Sequence, residues 1–306
     1  MWIHPIIEER QRKGHFHPLF AEVQRDEKKF FNFTRMSRST FYELLAVCGE
    51  KLAKKDTPMR NAITSEEKLV ITIRYLATGC SLAELHYNFR IGRSTASNII
   101  QEVCEAIWIE LADKVIPQCS TEKWIEIAKV FQTCAQFLNC IGAIDGNIFG
   151  LSSHSIVGLC TTYNYKQYYS TYCLRCAMPI IASLGDKTFP LSENLLRPFG
   201  GKQLTPLKET FNARLTRARR YIECCFGILA NKWRIFHRPI DATVVKAACA
   251  LHNFIRTRDG TRSNDEKLDE NINLEGLAPD TTHRGNPLAL SARDKYAQYF
   301  VKQKTV

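Results

Sequence analysis

No apolar run in the 306-residue chain approaches the roughly 20 residues needed to cross a bilayer. The chain opens Met1-Trp2-Ile3-His4-Pro5 and soon turns charged, which is not the pattern of a secretory leader. There is no internal repeat and no low-complexity tract. No Gly-x-Ser-x-Gly elbow occurs, and no Ser-His-Asp arrangement stands out. Gly200-Gly201-Lys202 lacks the rest of a phosphate loop and reads as a turn. The 12 cysteines are scattered, and Cys173-Leu174-Arg175-Cys176 has no second pair and no nearby histidine, so neither a disulfide framework nor a zinc site is expected. These absences point away from a membrane protein, a secreted disulfide scaffold and nucleophilic catalysis. They leave free thiols in a reducing setting.

What the chain does have is a core and a positive charge. At 45% hydrophobic, it can bury a sizeable core in two domains. Forty-two basic residues against 31 acidic give a net charge of +11, which favours a polyanionic partner without specifying a fold.

Residues 1–30 are charged with interspersed aromatics, and are expected to form an arm or short helix against the domain behind. Over 31–130 the apolar spacing is helical. Ser37 or Ser39 caps a first helix with Gly49 as its stop, and Thr64 with Glu67 makes a capping box for a second. The last 45 or so residues turn polar and are expected to be loosely ordered. Ser81 caps a helix over 82–89, Arg90-Ile91-Gly92 forms a turn, and a long helix follows. Two helices joined by a short Gly-containing turn are the helix-turn-helix plan, in which the start of the second helix meets DNA. Its residues here are Arg93, Ser94, Thr95, Ser97 and Asn98. An ordinary helical hairpin with a polar face has the same pattern.

From Phe131 the period changes. Leu138–Ile144, parts of 159–181 and 181–185 read as strands, while Phe211–Leu229 and 241–255 read as helices, so an α/β layer domain is expected. Three carboxylates stand out. Asp145 ends an apolar run, Asp186 follows Leu184-Gly185, and Glu223 lies in a basic helical stretch with Arg219 one turn before it. Carboxylates leaving buried strands, joined by one from a helix, can hold the two metal ions that clamp a phosphodiester. Between 205 and 240, eight basic residues accompany two acidic ones, read either as a solvated face or as a phosphate grip.

Several words in order resemble the PIF/Harbinger transposases and their domesticated nuclease relatives. They are Gly142-Ala143-Ile144-Asp145-Gly146, Tyr163-Asn164-Tyr165-Lys166, Leu184-Gly185-Asp186-Lys187-Thr188-Phe189-Pro190-Leu191 and Arg197-Pro198-Phe199. Phe211-Asn212-Ala213-Arg214-Leu215, Ala218-Arg219-Arg220-Tyr221-Ile222-Glu223, Phe226-Gly227-Ile228-Leu229 and Leu251-His252-Asn253-Phe254 follow. The resemblance implies a ribonuclease-H-like DDE catalytic domain preceded by an all-α helix-turn-helix domain. It implies an Asp145–Asp186–Glu223 triad binding Mg2+ or Mn2+, with Lys166, Arg219 and Arg220 on phosphates. It also implies DNA as substrate, a nuclear setting (with the cytoplasm as a second location) and a Myb-like DNA-binding partner. The expected division is an arm over 1–30, the helical domain over 31–130, the catalytic domain over 131–258 and a polar tail over 259–306.

Two departures stand against the resemblance. Asp186 follows Asp145 by only 41 positions, short of the family's spacing by several dozen, so a strand and helix of the core are missing near residue 180. Ile148 stands where the family usually has histidine. A transposase-derived, metal-dependent DNA endonuclease, intact or catalytically impaired, is the reading; a domesticated non-cleaving DNA-binding or chromatin adaptor and a non-functional transposon fragment are the alternatives.

Overall fold

The computed structural model describes residues 4–56, 61–115, 120–143, 160–163, 169–172, 182–184, 191–201, 203–238, 240–260 and 287–302. The chain divides into two compact units. One comprises Met1–Gln118, Leu151–Ser155 and Ile228–Lys267, and the other Cys119–Gly150, Ile156–Gly227 and Leu268–Val306.

The first unit is helical throughout its described residues. It begins with α1 (Pro5–Glu8), α2 (Arg10–Lys13), a π-helical turn (Phe16–Phe20), α3 (Ala21–Val23) and α4 (Glu27–Thr34). This segment was expected to be an arm or short helix. It is a folded part of the unit, because Phe20 and Phe30 are buried and stack edgewise or tilted with Phe41 at 5.8 and 5.5 Å. The Arg10 guanidinium reaches the Glu67 carboxylate at 3.0 Å, both side chains being buried. Burial pushes the Glu67 carboxyl up, against the opposing pull of Arg10.

The helices α5 (Arg38–Leu52), α6 (Ser65–Thr78), α7 (Leu82–Phe89) and α8 (Arg93–Val115) follow. Ser37 is the N-cap of α5, its hydroxyl accepting from the Thr40 amide at 3.2 Å. The helix does not stop at Gly49 but runs on to Leu52, since the buried side chains Cys48 and Leu52 continue its apolar face beyond the glycine. Only half of the expected box at Thr64 forms: the threonine hydroxyl accepts from the Glu67 amide at 3.1 Å, while the Glu67 carboxylate is taken by Arg10. A complete reciprocal box opens α7, between Ser81 and Glu84. Lys68, almost wholly buried, is held by the Leu52 carbonyl at 2.8 Å and by Glu102 at 3.0 Å.

The unit closes with a 3-10 turn (Arg234–His237) and α11 (Ala242–Asp259), which packs on α8 and α5. Residues 241–255, expected within the catalytic stretch, thus fall with the helical unit. The reason is the apolar face of α11, where Val244, Ala247, Ala248, Leu251 and Phe254 are buried. Asp259 ties its end to the start of α5, accepting from the Ser37 amide, the Ser37 hydroxyl and the Thr40 hydroxyl at 2.8, 2.7 and 2.6 Å.

Among its described residues the second unit is α/β, with strands that are few and short. Helix α9 (Thr121–Ala135) leads into β1 (Cys140–Ala143). An antiparallel pair, β2 (Cys160–Tyr163) and β3 (Tyr169–Tyr172), follows, then β4 (Ala182–Leu184) and β5 (Leu195–Leu196). The strands β1, β4 and β5 form a parallel sheet with β4 in the middle. Helix α10 (Pro206–Lys232) lies in this unit as far as Gly227, and α12 (Pro287–Lys302) completes it. The core brings together Phe137, Cys140, Leu184, Leu196, Phe199, Phe211, Leu215, Ala218, Ala297 and Phe300. The chain end therefore corrects the expectation of a loosely ordered tail. Ala297 and Phe300, spaced on one helix face, insert into this core, and the Phe300 ring meets Phe137 edge-on at 4.9 Å. Residues 261–286, also within that expectation, lie outside the described residues.

Candidate active site

The parallel pairing of β1 with β4 is the frame from which the candidate site is built. Cys140 faces Ala182, Gly142 faces Ser183 and Ala143 faces Leu184, with a register shift between Cys140 and Gly142. Cys140 and Leu184 are fully buried, which fixes which face of each short strand meets the core. Both strands leave the sheet at the same end, the carboxyl end, where open α/β sheets carry their ligands. Asp145 and Asp186 each come two positions after the last strand residue, Ala143 and Leu184. Asp145, Asp186 and Lys166 lie outside the described residues.

Glu223 belongs to α10, one turn beyond Arg219. The helix is seated by Phe211, Leu215 and Ala218, all buried, and by Asn212. The Asn212 amide oxygen accepts from the Phe199 N–H at 2.8 Å, and its NH2 donates to the Phe199 carbonyl at 3.1 Å. This two-point clamp fixes α10 against the stretch after β5. Arg214 donates to the Gln136 carbonyl at 3.1 Å and lies over the Phe300 ring at 4.6 Å, and Arg217 donates to the Gln136 side-chain oxygen at 2.7 Å. Desolvation, then the neighbouring Arg217 charge, pulls the Arg214 pKa down. Two of the eight basic residues between 205 and 240 are thus used to hold α10 in place. Arg219 is half-buried and Arg220 exposed.

The helix pair α7–α8 is joined by a tight turn in which Arg90 adopts a left-handed conformation, with φ of 54°. The His86 Nδ1 lies 2.6 Å from the Ile91 carbonyl across the turn. At the start of α8, Ala96, Ile99 and Ile100 are buried while Arg93, Ser94, Ser97 and Asn98 are exposed and Thr95 is half-buried. The five residues singled out from the sequence therefore occupy the outer side of the second helix. Gln101 lies on the same outer side, and the sequence reading did not single it out. It is exposed one turn on from Ser97 and Asn98, and its amide donates to Glu105 at 3.2 Å and to Thr243 at 3.4 Å. Continuing the i, i+3/i+4 spacing by one turn would have found it.

Among the described residues no group of three or more His, Cys, Asp or Glu side chains is arranged to hold a metal ion. Nor is any described helix long and apolar enough to cross a membrane.

Residues 167–253 match the family profile of the DDE superfamily endonuclease. That stretch contains Asp186 and Glu223. The chain is also similar to an ALP1-like protein of Arabidopsis thaliana, with 21% identity over 80% of this chain and 75% of that protein. The resemblance to Harbinger-type transposase-derived nucleases holds. The DDE endonuclease domain implies a ribonuclease-H-like fold, while the described residues are mostly helical, with strands of two to four residues. The family typically uses divalent metal and has DNA as its substrate. No solved structure matches the chain.

Proposed function

We propose that this chain is a transposase-derived, divalent-metal-dependent DNA endonuclease whose metal ligands are Asp145, Asp186 and Glu223. The observation that carries the proposal is the register of β1 and β4. Ala143 and Leu184 are partners, and two residues of chain span only about 7 Å, so both aspartates are tethered to one end of one strand pair. An all-oxygen donor set suits Mg2+ or Mn2+. Bound there, such ions supply a water of lowered pKa and charge stabilisation at the attacking and leaving oxygens. The side chains have the complementary task. The three carboxylates hold and space the ions, and Lys166, Arg219 and Arg220 grip flanking phosphates. Arg214 and Arg217 keep the helix that carries Glu223 in register through Gln136.

The helix pair, with Arg93, Ser94, Thr95, Ser97 and Asn98 outward, is proposed as a helix-turn-helix reader of DNA. The nuclear setting and a Myb-like partner are carried by the resemblance alone.

A second reading, a domesticated adaptor that binds DNA without cutting, is favoured by one observation. Only nine residues separate Tyr172, the end of β3, from Ala182, the start of β4, too few for the further strand and helix that the resemblance implies there. Calorimetric titration with Mn2+ on the wild type and on Asp145→Ala separates the two. The nuclease reading expects a saturable isotherm that the substitution abolishes. A normal isotherm in the variant would sink the triad assignment, and no isotherm in the wild type would favour the adaptor.

A further inference from the structure

The 3-10 turn after α10 alternates inward and outward residues. Trp233, Ile235 and Phe236 are buried, and Arg234, His237 and Arg238 are exposed. Its place in the helical unit is fixed at the end of α6. Gly79 terminates that helix with φ of 65°, and a Cβ there would come within 2.8 Å of the Arg234 carbonyl oxygen. Only glycine fits both the left-handed backbone and that close approach. Arg238 closes the contact, donating to the Gly79 carbonyl at 2.8 Å and the Cys80 carbonyl at 3.0 Å. Cys80 immediately precedes Ser81, the N-cap of α7. Residues distant in sequence thus present basic side chains beside the start of the first helix of the pair.

The next stretch continues around the pair. Thr243, in the first turn of α11, accepts from Gln101 of α8. Residues 234–243 therefore bracket α7 and α8 from the start of one to the third turn of the other. Charge is distributed to match. At the opposite end of α7 the Arg90 guanidinium lies 3.6 Å from Glu9, a carboxylate it shares with Arg12 and Lys13. At the near end Glu84 accepts from the Ser81 amide and serves the cap. In a helix-turn-helix complex the first helix crosses the sugar-phosphate backbone while the second enters the major groove. Backbone contacts set register and supply most of the salt-dependent affinity.

We infer that the segment Arg234–Arg238 is a second DNA contact, a phosphate clamp that works with the start of α8. Arg234 and His237 meet phosphates directly. Arg238 mainly positions the segment against α6. The inference rests on the DNA-binding reading of the helix pair. It extends the footprint to residues that lie some 140 positions further along the chain.

The test measures binding of the full chain to a mixed-sequence duplex of roughly 30 base pairs by fluorescence anisotropy from about 50 to about 200 mM salt. The proteins are wild type, Arg234→Gln, His237→Gln and Arg93→Gln, each checked for an unchanged urea midpoint. Loss of one phosphate contact lowers the slope of log K against log salt by about 0.9, which near physiological salt is about a fivefold loss of affinity. The clamp expects that change for Arg234→Gln, and a uniform loss across DNA sequences. Unchanged slope and affinity for Arg234→Gln alongside a loss for Arg93→Gln would overturn the clamp and leave the helix pair standing. A loss for Arg234→Gln with none for Arg93→Gln would overturn their joint action. A wild type without salt-dependent binding would overturn both. If Arg234→Gln alters the urea midpoint, Arg234→Lys, which keeps the charge, is expected to bind as wild type, and failure to do so would overturn the clamp.

Discussion

Ala143 of β1 and Leu184 of β4 face one another on neighbouring parallel strands, and an aspartate follows each at a distance of two residues. A sequence separation of 41 residues is thereby reduced to the width of one strand pair. On the proposed reading, this pairing is what would let Asp145 and Asp186 share ions.

Asp145→Ala and Asp186→Ala should each abolish Mn2+ binding. If the wild type nicks supercoiled DNA, each should slow nicking at least about a hundredfold, the cost of displacing a reacting group by 1 Å. Gel assays in Mg2+ and Mn2+ check this. A variant that cuts at the wild-type rate would remove its residue from the triad.

Phe300 lies in the core of the second unit and meets Phe137 at 4.9 Å and Phe211 at 6.2 Å. Phe300→Ala should destabilise that unit by about 3–5 kcal/mol, the usual cost of emptying a buried aromatic site. A urea titration followed by tryptophan fluorescence and far-UV circular dichroism reads it. A loss under about 1 kcal/mol would show that α12 is an appendage rather than a wall of the core.

His252 is buried, and desolvation, then the charges of Lys232 and Arg256, draws its pKa down to about 4. Its buried Nδ1 has no hydrogen-bond partner among the described residues. Since the folded pKa lies below the unfolded value near 6.5, the unfolded chain binds the extra proton between these limits. The stabilisation from neutral His252 is complete above about pH 6.5 and lost as pH falls toward 4, amounting to roughly 3 kcal/mol. Stability measured across that window should fall more steeply for wild type than for His252→Phe, and parallel curves would remove His252 as the cause.

Arg10 and Glu67 are a buried pair joining the start of the chain to α6. Arg10→Ala leaves the carboxylate buried and unpaired, with an expected cost of about 3–5 kcal/mol, whereas replacing both partners by apolar residues costs far less. A double-mutant cycle by urea unfolding decides. Additive losses would show that the pair is not coupled.

Gly79→Ala places a methyl group against the Arg234 carbonyl in a left-handed backbone. The backbone term alone costs about 1–2 kcal/mol. Because the clash displaces the Arg234 segment, DNA affinity should fall with stability. Full stability with full affinity would show that the turn yields without consequence.

Local signals were legible wherever neighbouring residues settle them. Ser81, four-square with Glu84 and ahead of an apolar helix, declares a cap before any packing is known. The outward start of α8 and the strand before Asp186 are equally local, since periodicity alone sets their exposed and buried faces. Glu67 was legible as a box residue but went to Arg10, a partner 57 positions away that no local pattern names. The arginines of α10 read either as a solvated face or as a phosphate grip, yet Arg214 and Arg217 are drawn to Gln136 across the unit.

By itself, then, the sequence determined several helices, their caps and the order of the family-like motifs, and it singled out three carboxylates as candidate ligands, because period, caps and ordered motifs are properties of adjacent residues. Only the tertiary structure decided that Ala143 would meet Leu184, that α11 would join the helical unit and that Phe300 would enter the core. It also decided that Arg234 would sit beside α7. The reason is physical: burial of apolar surface is non-directional and acts between any faces that can reach one another, so its partners are chosen by the whole fold and not by position along the chain.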